Sequence, residues 1–339
     1  MEPVRVGVVG AGHWGPNLIR NFYELPEADL RMVCDLDQER LDHIQQRYPE
    51  VLTSKDSKSI LETDVEAVVI ATPVSTHYPL AMEYLRADKH VLVEKPLTTS
   101  VPEAREIVET GFAMDKLVMT GFTFLFNPAV RALKEIIESG EIGDVYYING
   151  TRVNLGLYQP DVNVVWDLAP HDVSLLQYVL GLDPVAVSSR GGMFVRPSVC
   201  DVAYLTLHFP NSILADLRVS WLDPCKIRRI TIVGSKKMIV YDDIEPVNKV
   251  VIYDKGVDVQ PYTDTLEEFH LAYRYGEEKP FPIEWDEPLK LECLHFLRCI
   301  RENTPVCSDG IRGLKVVQVL DAAQDSLVNG GIRKEILWK

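Results

Sequence analysis

The sequence has no long apolar run and no leader-like start, and both absences argue against membrane and secreted proteins. No apolar stretch approaches the roughly 18 residues that a membrane-spanning helix requires. The first ten residues, MEPVRVGVVG, lack the basic, apolar and small-residue sections of a signal peptide. The sequence therefore predicts a cytoplasmic protein without a membrane partner.

Paired cysteines and an excess of basic residues are also lacking. The six cysteines show no CxxC or zinc-like clustering and are typical of reduced thiols, and no His, Cys or carboxylate group has convincing metal-ligand spacing. We therefore predict no metal. The net charge of −15 argues against a nucleic-acid partner, which Lys and Arg would have to neutralise. A small anionic ligand needs only a local basic pocket and stays possible.

At 339 residues the chain is longer than one hydrophobic core usually grows, which predicts two domains. In the first part, apolar strands alternate with helical stretches. The strands are predicted at residues 4–9, 29–34, 67–71, 90–93 and 118–119, and the helices at 17–23, 38–48, 77–85 and 101–110. This alternation indicates an α/β domain over residues 1–122, a Rossmann-type doubly wound parallel sheet.

The pattern changes after residue 121, where long strands follow one another across short turns. Strands are predicted at residues 145–153, 185–194, 202–209, 213–221, 227–233 and 237–241, and helices at 128–139, 167–180, 288–301 and 313–328. Strands joined by short turns form antiparallel sheets. Residues 123–339 are therefore predicted to form an α+β domain with a large, mostly antiparallel sheet, which binds substrate and mediates oligomerisation.

A glycine-rich turn directly after the first strand predicts a dinucleotide site. In this GxGxxG motif Gly10 permits a tight turn, Gly12 lets the backbone approach a pyrophosphate, and Gly15 lets helix and strand pack closely. His13 and Trp14 lie within the same turn. The following helix N-terminus would face the phosphates with its N–H groups.

Asp35 ends the second strand about 20 residues after the motif, where an acid accepts hydrogen bonds from an adenosine ribose. A carboxylate there repels the 2′-phosphate of NADP, so NAD is the predicted cofactor and NADP is less favoured. Arg40 could soften this preference, although a solvated helix residue is the favoured interpretation.

The segment ATPVSTH follows the third strand at its carboxyl end, the edge along which open α/β sheets bind ligands. Thr72 and Pro73 are therefore predicted to lie beside the cofactor. His77 is either a further cofactor residue or an N-terminal helix residue without a ligand role, and the sequence does not decide between them.

Glu94, Lys95 and Pro96 form an E-K-P motif at the next strand end. Together with the glycine motif and the A-T-P-x-x-x-H segment, in this order and spacing, it resembles the glucose–fructose oxidoreductase/inositol dehydrogenase/rhizopine catabolism (Gfo/Idh/MocA) family across essentially the whole chain. The resemblance implies an NAD(P)-dependent dehydrogenase of sugars, inositols or sugar nucleotides, commonly a dimer or tetramer. It also implies that Lys95 meets nicotinamide and substrate beside Glu94, aimed by a cis bond to Pro96.

A dehydrogenase acting on an alcohol also needs a proton acceptor. Asp167 and His171 stand four residues apart, so on a helix both side chains share one face. The histidine would take the hydroxyl proton while the aspartate sets its tautomer. This D-x-x-x-H matches the family motif, by which Lys95, Asp167 and His171 form the catalytic set. A cap or core role for the pair stays open, and Asp172 is either structural or substrate-orienting.

Arg152, Asn154 and Tyr158 precede that segment and could hydrogen-bond sugar hydroxyls or a phosphate, if they are more than ordinary strand residues. The motifs around residues 121–128, 154–156 and 166–172 resemble members that oxidise sugar nucleotides at C3 of the hexose. Where many relatives have a basic pair, this chain has Thr-Phe-Leu at residues 123–125, which weakens transfer from sugar and inositol dehydrogenases.

The sequence is compatible with three functions. The first is an NAD-dependent sugar-nucleotide 3-dehydrogenase, the second a dehydrogenase of a free sugar or inositol, and the third a non-catalytic NAD-binding regulator on the same scaffold. Alternating apolar residues over 202–209 predict a sheet face that another subunit covers, so a homo-oligomer is expected.

Overall fold

The computed structural model describes residues 2–156, 158–159, 161–259 and 271–338. Of these, residues 2–127, 286–321 and 338 form one compact unit, named unit 1, and residues 128–285 and 322–337 form another, named unit 2. The predicted domains, 1–122 and 123–339, differ from this division, because residues 286–321 return to unit 1.

Unit 1 contains a parallel sheet whose strands are largely buried. Its strands are β1 (Val4–Val9), β2 (Ala28–Cys34), β3 (Leu52–Ser54), β4 (Ala67–Ile70), β5 (His90–Glu94) and β6 (Val118–Gly121). Among the described residues they pair in the order β3-β2-β1-β4-β5-β6, and every pairing in this sheet is parallel. This order confirms the predicted doubly wound sheet, with ligand-binding loops at the carboxyl ends of the strands.

Two helices of unit 1 begin at residues whose side chains satisfy free N–H groups. Asp37 accepts from the backbone N–H of Glu39, and Ser100 accepts from that of Glu103. The helices are α1 (Gly15–Glu24), α2 (Gln38–Arg47), α3 (His77–Arg86) and α4 (Val101–Ala113), with 3-10 turns at Ser57–Glu62, Val74–Thr76 and Thr123–Phe126. They agree with the predicted helices to within a few residues.

The late return of the chain to unit 1 has a packing cause. In unit 2, α5 spans Pro128–Glu138 and α6 spans Val164–Leu180; α7 (Pro288–Glu302) and α8 (Gly310–Val328) follow them in the chain. On α7, Cys293 and Phe296 are fully buried, and the Phe296 ring meets Phe22 of α1 edge-on at 6.5 Å. The apolar face of α7 is therefore part of the unit 1 core.

Unit 2 is built on a larger sheet. Its strands are β7 (Val145–Val153), β8 (Ala186–Gly192), β9 (Val202–His208), β10 (Leu214–Ser220), β11 (Ile227–Gly234), β12 (Met238–Asp242), β13 (Val250–Val259), β14 (Leu271–Pro280) and β15 (Lys334–Glu335), with a 3-10 turn at Pro210–Ser212. The described strands pair in the order β14-β13-β12-β11-β7-β10-β9-β8-β15, antiparallel except for β7 with β10. A mostly antiparallel sheet was predicted, and this is confirmed.

Two long strands, β13 and β14, were missed by the sequence analysis. Their sequences VVIYDKGVDV and LAYRYGEEKP mix charges and glycine with apolar residues, so they lack the buried-strand signal. They pair with each other through backbone hydrogen bonds, which any side chain permits. None of the helices within the described ranges has the length and apolarity needed to cross a bilayer.

Candidate active site and cofactor site

The glycine turn between β1 and α1 has the tight geometry predicted for it. Gly10 has φ +101°, and a Cβ added there would lie 2.5 Å from the Ala71 carbonyl oxygen. A Cβ on Gly15 would lie 2.0 Å from the Gly10 carbonyl oxygen. Either addition is sterically impossible without moving backbone, whereas one on Gly12 would only contact Arg40 at 3.4 Å. The protein itself therefore requires glycine at two of the three positions.

The outer part of this turn is accessible, as a ligand-facing loop must be. His13 is exposed, and Trp14 is 39% exposed. A pocket of about 330 Å³ opens beside the turn. It is lined by Ala11, Pro16, Asp37, Glu39, Arg40, His43 and Ile44. These residues lie between the turn and α2, where the adenosine half of NAD would bind in this fold.

Asp35 follows β2 and bridges the glycine turn to α2. Its Oδ2 accepts the Ala11 N–H at 2.6 Å, its Oδ1 accepts the Asp37 N–H at 2.9 Å, and its side chain is 8% exposed. Arg40 lies 3.5 Å from Asp35 and 3.4 Å from Asp37. Arg40 thus borders the predicted ribose site, so the favoured view of it as a merely solvated helix residue is incomplete.

Removing the charge of Asp35 should weaken discrimination against NADP. We expect Asp35→Ala to bind NAD about 10-fold more weakly, because the ribose loses its acceptor. The ratio of NAD affinity to NADP affinity should also fall, because Arg40 remains beside the site. Titration of both cofactors against protein fluorescence measures this. Asp35→Asn serves as comparison, since it keeps an acceptor for Ala11 without the charge. Unchanged discrimination in both variants would contradict the ribose role.

His77 connects the loops that follow β4 and β5. Its side chain is 1% exposed, with Nδ1 3.0 Å from the Pro96 carbonyl oxygen and Nε2 2.9 Å from the Thr72 carbonyl oxygen. The Thr76 hydroxyl adds hydrogen bonds to the Thr72 hydroxyl and the Pro73 carbonyl, both 2.7 Å. His77 is the first residue of α3, which agrees with the second of the two alternatives, an N-terminal helix residue, and its ring hydrogen-bonds the loops that carry Thr72 and Pro96.

Lys95 directly follows β5, and its peptide bond to Pro96 is cis, as predicted. Glu94 beside it is 8% exposed, and its Oε2 accepts the Lys95 backbone N–H at 3.2 Å. The Glu94 carboxyl covers Gly121, where an added Cβ would lie 3.1 Å from it. The Glu94 carboxyl is therefore buried and not a solvated surface acid.

Burial raises the pKa of Glu94 from 4.5 to about 7, against the opposing effects of the Lys95 charge, the Lys95 N–H and a hydrogen bond from Trp14. A carboxyl with this pKa changes charge near neutrality. Lys95 is thus placed next to a group whose ionisation depends on pH in the physiological range.

A second buried acid, Glu292 of α7, was missed by the sequence analysis. It is fully buried, and its Oε2 accepts the Thr123 hydroxyl at 2.7 Å. Burial, and then the charge of Glu94, raise the pKa of Glu292 well above its usual value. The sequence pattern of α7 could have indicated it, because Glu292 lies on the same helix face as the apolar residues 289, 293 and 296. An acid on such a stripe indicates a buried carboxyl.

In unit 2, Asp167 and His171 lie on α6, one turn apart and half-buried. The helix begins at Val164, three residues before the prediction, because Asn163 accepts the N–H groups of Val165 and Trp166. Pro170 consequently lies inside the helix rather than in its first turn. The shared face of the two catalytic candidates is retained.

Arg152, predicted to bind substrate, has a different partner. It is 5% exposed and forms a two-pronged pair with Asp172, with both N–O distances 2.8 Å. A buried guanidinium held in this way stabilises the contact between β7 and α6. The prediction of Arg152 as a substrate ligand stays a prediction, and the pair with Asp172 gives both side chains a structural contact.

Asn154 and Tyr158 lie close to Trp221, the residue that hydrogen-bonds Asp167. The Asn154 N–H donates to the Ser220 carbonyl at 3.2 Å, and the Tyr158 ring packs on Trp221 with centroids 5.1 Å apart. Trp221 in turn donates to Asp167 at 2.8 Å. The predicted site residues therefore form two groups, one within unit 1 and one within unit 2. No group of three potential metal ligands occurs among the residues described.

Similar proteins span nearly the whole chain. The scyllo-inositol 2-dehydrogenase (NAD(+)) of Bacillus subtilis is 27% identical over 96% of this chain and 95% of its own. The UDP-N-acetylglucosamine 3-dehydrogenase of Acidithiobacillus ferrooxidans is 26% identical over 94% of this chain and 95% of its own. A crystallised protein from Magnetospirillum magnetotacticum MS-1, described as an oxidoreductase, has a TM-score of 0.81 and 30% identity, covering 95% of this chain and 99% of that one.

Family comparison covers both units. Residues 4–122 match the oxidoreductase family with an NAD-binding Rossmann fold, and residues 130–240 match the GFO/IDH/MocA C-terminal domain. The glycine turn and Asp35 fit NAD, since they supply the close backbone approach and the ribose acceptor that it needs. The predicted NAD cofactor and NAD-dependent dehydrogenase class are confirmed. The chain belongs to the GFO/IDH/MocA family of NAD-binding oxidoreductases.

Proposed function

We propose that this chain oxidises a secondary hydroxyl of a sugar, at C3 of a nucleotide-linked hexose or hexosamine, with NAD as the hydride acceptor. The observation that carries the proposal is the Asp167–His171 pair on one face of α6, with the aspartate held by Trp221. An imidazole with an oriented carboxylate is suited to removing a hydroxyl proton. It is the group that alcohol oxidation requires beyond a bound cofactor.

In the proposed reaction His171 removes the hydroxyl proton while Asp167 orients its ring. Lys95 donates a hydrogen bond to the reacting oxygen and stabilises its developing negative charge. Bound NAD supplies the hydride acceptor at nicotinamide C4. Retention of all three side chains, Lys95, Asp167 and His171, speaks against a catalytically silent regulator.

Two substrate classes have support. The UDP-N-acetylglucosamine 3-dehydrogenase aligns over almost the whole chain, and an exposed Arg196 lies 5.9 Å over the Tyr158 ring, where it could meet a phosphate. The scyllo-inositol dehydrogenase aligns equally far at similar identity and supports the alternative, a free sugar or inositol. Because Asp172 holds the buried Arg152 guanidinium, the exposed Arg196 is the more accessible of these two cationic candidates for a phosphate.

The test is NAD reduction, followed by absorbance, against UDP-N-acetylglucosamine, its uronic acid, dTDP-glucose, glucose and myo-inositol. We expect turnover of a sugar nucleotide. Turnover of glucose or myo-inositol alone would overturn the leading proposal in favour of the alternative. No turnover of any compound, despite measured NAD binding, would count against both and favour the regulator.

A homo-oligomer, a dimer or tetramer, is also proposed. On β9 Ala203, Leu205 and Leu207 are buried within unit 2, while Tyr204 on the opposite face is 55% exposed. An exposed aromatic on an open sheet face favours coverage by a second copy. Sedimentation velocity at micromolar concentration should give more than the monomer mass of 38.4 kDa, and a monomer would contradict the proposal.

A further inference from the structure

Trp221 presents a buried hydrogen-bond donor to the catalytic helix. It directly follows β10, is 1% exposed, and its indole Nε1–H donates to Oδ2 of Asp167 at 2.8 Å. A buried indole N–H needs an acceptor, and an ionised carboxylate is a strong one. The contact joins residues that are 54 positions apart in the chain, so it depends on the tertiary fold.

Both the backbone and the indole of Trp221 are held in place. The Trp221 backbone N–H donates to the Asp201 carbonyl at 3.0 Å, and the Trp221 backbone carbonyl accepts the Gly156 N–H at 2.9 Å. The Tyr158 ring packs against the indole at an interplanar angle of 53°. A Cβ on Gly156 would lie 2.9 Å from the indole Cδ1, so glycine allows the close approach. The donor therefore has little freedom to turn away from Asp167.

A rigid donor has a specific effect on an aspartate. The carboxylate can rotate about two bonds, and a short hydrogen bond from a fixed group selects one orientation. Asp167 must hold one orientation if it is to keep the imidazole of His171 in a single tautomer. We propose that Trp221 is a positioning residue that fixes the carboxylate of Asp167 for this task. The inference rests on the proposed function, in which Asp167 and His171 act as a pair.

The principal variant is Trp221→Phe, which keeps an aromatic ring and removes the donor. We expect kcat to fall about 10- to 100-fold, the range for losing one hydrogen bond to a charged group, with NAD affinity within about 2-fold. The assay uses whichever of UDP-N-acetylglucosamine and myo-inositol the unmodified protein oxidises. Trp166→Phe is the matched control, because Trp166 is buried on α6 next to Asp167 and the same atoms are lost. It should retain most of the activity.

A double-mutant cycle separates positioning from packing. If Trp221 acts through Asp167, adding Trp221→Phe to Asp167→Asn should change the residual kcat less than about 2-fold. A full further loss would show that Trp221 serves packing alone and would overturn the proposal. Trp221→His, which keeps a ring N–H, should recover part of the activity and replaces the phenylalanine variant if that one does not fold.

A spectroscopic readout needs no substrate. With nitrogen-15 labelling, the indole N–H signal that Trp221→Phe removes should shift when Asp167→Asn is introduced, because the acceptor loses its charge. An unmoved signal would overturn the contact itself. A moved signal, combined with normal activity of Asp167→Asn, would leave the contact intact but overturn the positioning role together with the catalytic role of Asp167. The inference and the substrate proposal can therefore fail separately.

Discussion

Replacing Lys95 by methionine should lower kcat about 10³-fold or more while NAD affinity changes less than about 2-fold. The reason is local. Lys95 follows β5 at the carboxyl edge of the sheet, and in the proposed reaction its ammonium stabilises the charge on the reacting oxygen. Methionine has similar length and no charge, so it removes this stabilisation with little change in volume. Steady-state kinetics and cofactor titration measure the two quantities.

Lys58→Met provides the comparison, since the Lys58 side chain is 70% exposed on a 3-10 turn of unit 1. It should keep both kcat and NAD affinity. If kcat of Lys95→Met stayed within about 10-fold of the unmodified protein, Lys95 would not be the group that stabilises the transition state.

The largest change in stability is expected from Glu292. Its pKa in the folded protein lies well above the value of 4.5 that applies when it is exposed, so the folded state keeps a proton that the unfolded state releases. A carboxyl with a raised pKa contributes its full stabilisation below about pH 4.5, and this contribution is lost as the pH rises through the pKa of the folded state. Glu94 behaves in the same way between pH 4.5 and about 7. Both acids therefore make the protein less stable at higher pH.

Glu292→Gln should remove the part of this pH dependence of stability that comes from Glu292. The amide oxygen can still accept the Thr123 hydroxyl, and no proton is needed. We expect the apo-protein Tm near pH 8 to rise by about 5 °C or more, with little change near pH 5, since each kcal/mol corresponds to about 2–4 °C in a domain of this size. Thermal unfolding across pH measures this.

Glu302→Gln, at the exposed end of the same helix, is the matched control and should leave Tm unchanged at both pH values. Equal Tm for Glu292→Gln and unmodified protein across the pH range would mean that Glu292 is not held protonated in the fold.

Local sequence signals were sufficient for the fold class and for most of unit 1. The turn at residues 10–15 needs glycine for reasons confined to a few neighbouring residues, and Asp35 and Lys95 stand at strand ends that apolar runs make visible. The positions of α2, α3 and α4 followed from the helical spacing of residues between the apolar strands. These features depend on contacts between residues that are close in the sequence, or on a strand order that follows from the alternation of strands and helices.

The features that were missed depend on contacts between distant parts of the chain. Trp221 reaches Asp167 across 54 positions, and Thr123 reaches Glu292 across 169. Arg152 looked like a ligand on a strand, and only the facing helix shows that Asp172 occupies it. A residue's spacing gives the face on which it lies but not what that face packs against, so these partners required the tertiary structure.

The return of α7 to unit 1 has a consequence for synthesis. The ribosome makes the chain from its N-terminus, and domains tend to fold as they emerge. Phe22 of the nascent Rossmann domain can contact Phe296 only after residues 288–302 have been synthesised. Residues 128–285 are all produced before then. A fragment that stops at residue 127 would leave this apolar surface permanently bare. The nucleotide-binding half is thus the first part to be translated, but its core is completed only after most of unit 2 has been made.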